Sequence, residues 1–228
     1  MLKQSHGNMY TWVTHVHSHL GGECPHKCCY CYVDNPRWGR PERYKGELRL
    51  IEKEFFVNYG SDKTIFIENC NDLFAKEIPQ NFIDRIISHC LQYPDNIYVF
   101  QTKNPIRYLD NFNFPKNSIL GTTIETNRII AGISVAPIPE DRYKAMIEVK
   151  GRKFITIEPV LDFDVNVLAK WIADINPEFL NLGADSKNHS LPEPTVKKIF
   201  MLGDELEKHG IELREKHNLD RLKKYQLC

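Results

Sequence analysis

The chain has 228 residues, and its 30 Lys+Arg balance its 30 Asp+Glu, so no global field draws it to nucleic acid or to a membrane surface. Hydrophobic residues make up 42%, enough for a sizeable core. No stretch approaches the roughly 18 apolar residues of a membrane span, and MLKQSHGNMYTWV lacks a signal-type apolar run, so a cytoplasmic protein without a membrane segment is expected.

Short β-rich runs alternate with helical patterns along the chain. YTWVTHV (10–16) reads as the first strand and leads into CPHKCCYC (24–31), which holds four of the seven cysteines. ELRLIEKEFFVNYG (47–60) reads as a helix, TIFIEN (64–69) as the second strand, and IPQNFIDRIISHCLQY (78–93) as a helix. NIYVFQTK (96–103), SILGTTIE (118–125) and KFITIEPV (153–160) are the next strands. VNVLAKWIADI (165–175), FLNLGAD (179–185) and TVKKIFMLGDELEKHG (195–210) follow as helix, strand and helix, with IELREK (211–216) as a short further strand. In the 195–210 helix, Val196, Ile199, Phe200 and Leu206 keep the helical period and Gly210 marks the stop.

Such alternation predicts parallel βαβ units. The fold class expected is α/β, a partial (β/α)6 TIM-like barrel, with a doubly wound open sheet as the alternative. No low-complexity linker interrupts the chain, so one domain over 1–228 is expected. Each strand is apolar in its body and polar where it exits, at Asn69, Asn71 and Asp72; Thr102 and Lys103; Thr123, Glu125 and Arg128; Glu158; and Asn181 and Asp185. In a parallel barrel these positions share one face, which is where a site is expected.

Clustered thiols in a reducing compartment point to metal more than to disulfides. Cys24, Cys28 and Cys31 form CxxxCxxC, with Cys29 as a spacer and Tyr30 before the last thiol. Three thiolates can hold three irons of a cubane cluster and leave the fourth open. Zinc is the alternative. A closed zinc site wants four ligands, and with no second CxxC pair only His26 or Cys29 would complete one. Cys90 and Cys228 read as a buried small residue and a tail residue.

This motif, placed after the first strand of a βα-repeat chain, resembles the radical S-adenosylmethionine (SAM) superfamily. ENCNDLF, QTKNP, GTTIETN and ITIEPV resemble small phage-associated radical SAM proteins related to spore photoproduct lyase. The likeness extends over nearly the whole chain. It implies a radical SAM barrel and a [4Fe-4S] cluster on Cys24, Cys28 and Cys31, with SAM on the fourth iron. One electron, from a donor such as a flavodoxin or ferredoxin, then splits SAM into methionine and a 5′-deoxyadenosyl radical that abstracts hydrogen from a substrate.

Gly21-Gly22-Glu23 spells the superfamily's Gly-Gly-Glu string but precedes the cluster loop, so turn chemistry is expected of it. In the family's place stand Asn69-Cys70-Asn71-Asp72, a departure in which Asn71 and Asp72 offer acceptors to the SAM ammonium. The resemblance implies Lys103 at the SAM carboxylate, Thr123 and Glu125 at the ribose, Tyr30 against adenine, and Glu158 at SAM or substrate. In spore photoproduct lyase a cysteine at the matching place donates hydrogen to the product radical and tyrosines relay it. By that analogy Cys70, Tyr30 and Tyr32 are catalytic; a small residue packed beneath SAM is the other reading of Cys70. His15, His17 and His19 alternate at the end of the first strand and read as engaged polar filling at the barrel top, with substrate groups or secondary metal ligands as the alternatives.

The implied substrate is a nucleobase or nucleotide, as in DNA modification or repair. Lys27, Arg37, Trp38, Arg40, Arg43 and Tyr44 read either as a phosphate- and base-binding lip or as a solvated loop. A small metabolite or peptide substrate and a non-enzymatic zinc module are the alternatives.

Overall fold

The computed structural model describes residues 2–7, 9–34, 39–187 and 189–225. Its strands and helices run, in chain order, β1 Lys3–Gln4, β2 His15–His17, β3 Leu20–Gly21, β4 Arg49–Leu50, β5 Thr64–Ile67, α1 Gln80–Leu91, β6 Ile97–Thr102, β7 Ser118–Thr123, α2 Pro139–Glu148, β8 Arg152–Ile157, α3 Val165–Ile175, β9 Phe179–Leu182, α4 Val196–Lys208, β10 Glu212–Glu215 and α5 Asp220–Tyr225. The main sheet is ordered β1-β2-β5-β6-β7-β8-β9-β10. Every neighbour from β2 to β10 is parallel, and β1 is antiparallel at the edge. β2 and β10 are not neighbours, so the barrel is partial.

The period-2 alternation of each strand divides the core in two. Ile65 and Ile67, Tyr98 and Phe100, Ile155 and Ile157, and Leu180 and Leu182 pack under the helices. α1 meets them with Ile83, Ile86, Ile87 and Cys90, and α3 with Leu168, Ala169, Ile172 and Ile175, both at helical spacing. Each such fully buried side chain contributes about 1.5–3 kcal/mol relative to exposure. On the concave face lie Phe66, Val99, Ile119, Phe154 and Phe179. These come early in their strands, while Gln101, Thr123, Thr156 and Asn181 follow towards the exits. The barrel is thus apolar at its floor and polar at its mouth.

The expected first strand is shorter than its sequence suggests. Only His15–His17 pairs, and Tyr10–Val13 turns beneath the barrel instead. Tyr10 stacks on Trp12 at 5.4 Å, and Trp12 meets Phe154 and Phe179 edge-on at 5.5 and 5.1 Å. Residues 47–60 are not an α-helix either. β4 pairs with β3, Ile51 N–H bonds to the His19 carbonyl, and only a 3₁₀ turn, Glu52–Phe56, follows. The backbone there is spent on anchoring the cysteine loop. In α4 the buried stripe is Val196, Ile199, Leu202 and Leu206, and Phe200 faces outward. No helix among the described residues is long and apolar enough to cross a membrane.

His17 and His19 fill the core, whereas His15 is half-exposed, with Nδ1 2.9 Å from Thr14 Oγ1. His19 Nδ1 lies 3.0 Å from Glu68 Oε1, and its Nε2 lies 2.9 Å from His89 Nδ1 and 3.1 Å from the Tyr59 hydroxyl. Glu68 also accepts the Leu20 N–H at 3.2 Å. This buried cluster ties the exit of β5 to the start of the cysteine loop. Cys90 is fully buried, and Cys228 lies outside the described residues.

Candidate functional site

The cysteine loop leaves β3 through Gly22, which adopts φ +93° and donates its N–H to Arg43 O at 2.8 Å. A Cβ there would stand 2.2 Å from Glu47 O, so only glycine fits. A second strap comes from the loop after β7: Cys29 N–H bonds to Ile133 O and Val135 N–H to His26 O, both at 2.9 Å. The loop is therefore gripped from both sides.

Cys24, Cys28 and Cys31 are free thiols on this loop, half-buried, while Cys29 is exposed. Burial first, then the Asp72 charge, pushes the Cys24 thiol up to about 12; burial also raises Cys31. These thiols ionise readily only when something positive arrives, as metal binding requires. Among the described residues no three His, Cys, Asp or Glu side chains converge on a single ion. In a cubane each thiolate binds a different iron, so a cluster does not demand that convergence.

Cys28 meets the predicted strand-exit residues directly. Lys103 Nζ, beyond β6, lies 3.1 Å from Cys28 Sγ and 2.7 Å from Glu125 Oε1, and it donates to the Tyr30 hydroxyl. Tyr30 in turn donates to Glu125 Oε1. The other carboxylate oxygen accepts from Arg142 Nη1 at 2.6 Å, and that guanidinium also reaches Thr123 O. Glu125 and Arg142 are 2% and 3% exposed, so the exchange takes place out of water. Burial pushes the Glu125 carboxyl up, but Lys103 and Arg142 outweigh it and hold the group at about 2. Burial, then Glu125 and Cys28, keep Tyr30 a phenol.

Two cations therefore share one carboxylate beside a cysteine. The buried set carries a net charge of one positive, counted from Lys103 and Arg142 against Glu125. Such an excess suits an anionic guest, and it fits a thiolate-ligated cluster or a carboxylate placed there.

Asn71 and Asp72 lie between the cysteine loop and β6. Asn71 Nδ2 donates to Gly22 O at 3.1 Å. Asp72 Oδ1 accepts from Thr102 Oγ1 at 2.6 Å and Phe74 N at 3.0 Å, while Oδ2 accepts Lys103 N at 2.7 Å. His26 Nε2 is 2.9 Å from Asp72 Oδ2, near enough for an ion pair though off a hydrogen-bond line. Thr123 Oγ1 accepts from Gln101 at 2.8 Å. Glu158 stands on another part of the rim, clamped by Lys216 at 2.6 Å and Asn218 at 2.8 Å.

Cys70 has its own tyrosines. Tyr32 OH is 3.6 Å from Cys70 Sγ and donates to Asn69 O, and Tyr44 bonds to Cys70 and Ser18. Tyr44, half-buried, titrates well above the ordinary phenol, through burial and then the Cys70 charge, whereas Tyr32 is 55% exposed. Tyr30 belongs to the Lys103–Glu125 set and not to this one. The sequence reading did not single out Arg142, Lys216 or Asn218. Arg142 sits one turn into α2, whose Pro139-Glu140-Asp141 start is a legible helix signal.

The basic lip is largely spent within the protein. Lys27 pairs with Glu23, Arg40 with Asp34, and Arg43 with Glu54 at 2.7 Å. Arg37 and Trp38 lie outside the described residues.

A family model described as "Protein of unknown function (DUF5131)" matches residues 23–175, well over half of the chain. Among solved structures, a spore photoproduct lyase mutant aligns with TM-score 0.61 at 11% identity, covering 92% of this chain and 79% of that one. Another, with bound AdoMet and dinucleoside spore photoproduct, aligns with TM-score 0.55 at 12% identity, over 89% of this chain and 63% of that one. At such identities the likeness is one of fold: the chain folds as the partial barrel of radical SAM enzymes. The epidermin biosynthesis protein EpiB of Staphylococcus epidermidis is 26% identical over 133 residues, 52% of this chain but only 14% of that protein's length.

Proposed function

The chain belongs to the DUF5131 family of proteins of unknown function, and we propose that it is a single-domain radical SAM enzyme. The observation that carries this reading is the junction of Cys28 with the buried Lys103–Glu125–Arg142 set, on the fold of spore photoproduct lyase. Cys24, Cys28 and Cys31 would hold a [4Fe-4S] cluster, which with SAM would supply radical chemistry that no side chain can provide.

The protein's part is to bind and orient. The amino-acid end of SAM is a zwitterion, and the mouth offers matched pairs to it. Lys103 would receive its carboxylate, and Asp72 and Asn71 would receive its ammonium. Thr123 and Glu125 serve the ribose, Tyr30 offers its ring to adenine, and Glu158 serves SAM or the substrate. Cys70 gives its S–H hydrogen atom to the substrate carbon radical and becomes a thiyl, and the Tyr32 hydroxyl then gives a hydrogen atom to that sulfur, so the unpaired electron passes to Tyr32. The 3.6 Å approach of Tyr32 supports that order.

A nucleobase or nucleotide is the proposed substrate, supported by a fold neighbour that holds a dinucleoside spore photoproduct. With Lys27, Arg40 and Arg43 paired internally, recognition rests on the base more than on a phosphate backbone, so oligonucleotide binding should show a shallow salt dependence. A flavodoxin- or ferredoxin-type donor in the cytoplasm supplies the electron.

Anaerobic reconstitution tests the reading. The protein should take up about four irons and four sulfides. With dithionite and SAM it should release 5′-deoxyadenosine, and deuterium from a labelled substrate should enter that product. Binding of one zinc with no iron uptake would replace the enzyme with a structural metal module.

A further inference from the structure

Lys103 is oriented to do something besides receive a SAM carboxylate. Its ammonium stands 3.1 Å from Cys28 Sγ and is fixed there by Glu125 and Tyr30, with its charge over the Tyr30 ring at 4.4 Å. Only 12% of the Lys103 side chain and 2% of the Glu125 side chain reach solvent, so water screens the arrangement poorly. Arg142, 3% exposed, adds a second positive charge on the far side of the same carboxylate.

We propose that the Lys103–Glu125–Arg142 set fixes the reduction potential of the cluster held by Cys28, with Lys103 donating to the ligand sulfur. This rests on the cluster reading above. The step is the uptake of one electron by the oxidised cluster from a low-potential one-electron reductant. The reduced cluster carries one more negative charge, so a fixed cation stabilises it more than the oxidised form and makes the potential less negative. A hydrogen bond to the sulfur acts in the same direction. Glu125 opposes this, and its net effect is to orient Lys103 while cancelling one of the two cations.

The charge count makes the directions predictable. Lys103→Met leaves Arg142 and Glu125 balanced, so the potential should fall. Glu125→Gln leaves two cations, so it should rise. Lys103→Arg keeps the charge and should stay near wild type. Arg142→Met should fall by less, because Glu125 stands between it and Cys28. A merely structural role for these residues would not give opposite signs for Lys103→Met and Glu125→Gln.

The test is an EPR-monitored redox titration with dithionite on the reconstituted full chain without SAM, so that SAM affinity does not enter. Lys103→Met and Glu125→Gln should each change the reduction equilibrium about tenfold or more, in opposite senses, which is ~59 mV for one electron. Shifts of the same sign, or unchanged potentials with the cluster intact, overturn the proposal. If Lys103→Met fails to assemble a cluster, Glu125→Gln and Arg142→Met decide by the same rule. Failure of the wild-type chain to form any cluster refutes the functional reading itself, a distinct result.

Discussion

Glu125 shows how a single side chain organises this site, because its two oxygens collect Lys103, Tyr30 and Arg142. Three of those four residues were legible in the sequence, since strand-exit polarity and the position before the last cysteine mark them. Arg142 was not, because it arrives from a helix whose docking is non-local, and an arginine in a helix ordinarily faces solvent. The cysteines allow a sharper residue-scale prediction. Ala at Cys24, Cys28 or Cys31 should abolish iron binding on reconstitution. Cys29→Ala should retain it, since Cys29 is exposed and its backbone N–H, not its thiol, is bonded to Ile133 O. Iron content per chain is the measurement, and a cluster that depends on Cys29 but not on Cys28 contradicts the ligand set.

At the scale of elements, the barrel strands after the first and the helices α1, α3 and α4 were readable from periodicity, whereas α2, the start of the first strand run and the segment after the cysteine loop were not. Residues 47–60 have helix-compatible spacing, but their backbone is committed to β3 and His19, and that pairing overrides local preference. Phe56 is left 87% exposed, which an apolar helical stripe would not leave. The loop's dependence on this segment is measurable. Gly22→Ala forces a Cβ to within 2.2 Å of Glu47 O at φ +93°, so the β3–β4 junction must open. The expected cost is roughly 2 kcal/mol or more, with loss of iron binding. Gly46→Ala, at φ +72° with open space around it, should cost about 1 kcal/mol and retain the iron. Urea unfolding and iron content compare the two; equal costs would mean that the junction does not hold the loop.

Across the whole molecule, stability is linked to pH through groups buried under the site. Burial first, then His19, lowers His89 to about 4, and burial with His19 and His89 lowers His17 to about 3, against an ordinary value of 6.5. The His89 Nε2–Val57 O contact at 3.1 Å requires a proton on that nitrogen, so neutral His89 accepts from His19 through Nδ1. His17 faces Glu54, His19 and Tyr59. Groups whose folded values are depressed contribute stability that is present above the unfolded value and lost as pH falls towards the folded one. Both histidines therefore favour the fold above pH 6.5, and their contribution declines between pH 6.5 and about 3–4, where the unfolded chain takes up nearly two protons that the folded chain refuses. Glu125, ordinarily 4.5 but about 2 in the fold, adds a second loss of the same sign between pH 4.5 and 2. Urea unfolding at pH 7.5, 6.5, 5.5 and 4.5 should give a plateau and then a steepening decline. The His17→Asn, His89→Asn double variant should start lower, through lost packing, but decline less steeply, because its unfolded state no longer gains those protons. A wild-type stability that stays flat from pH 7 to 5, or an equally steep double variant, would show that the buried histidines are not what couples this fold to pH.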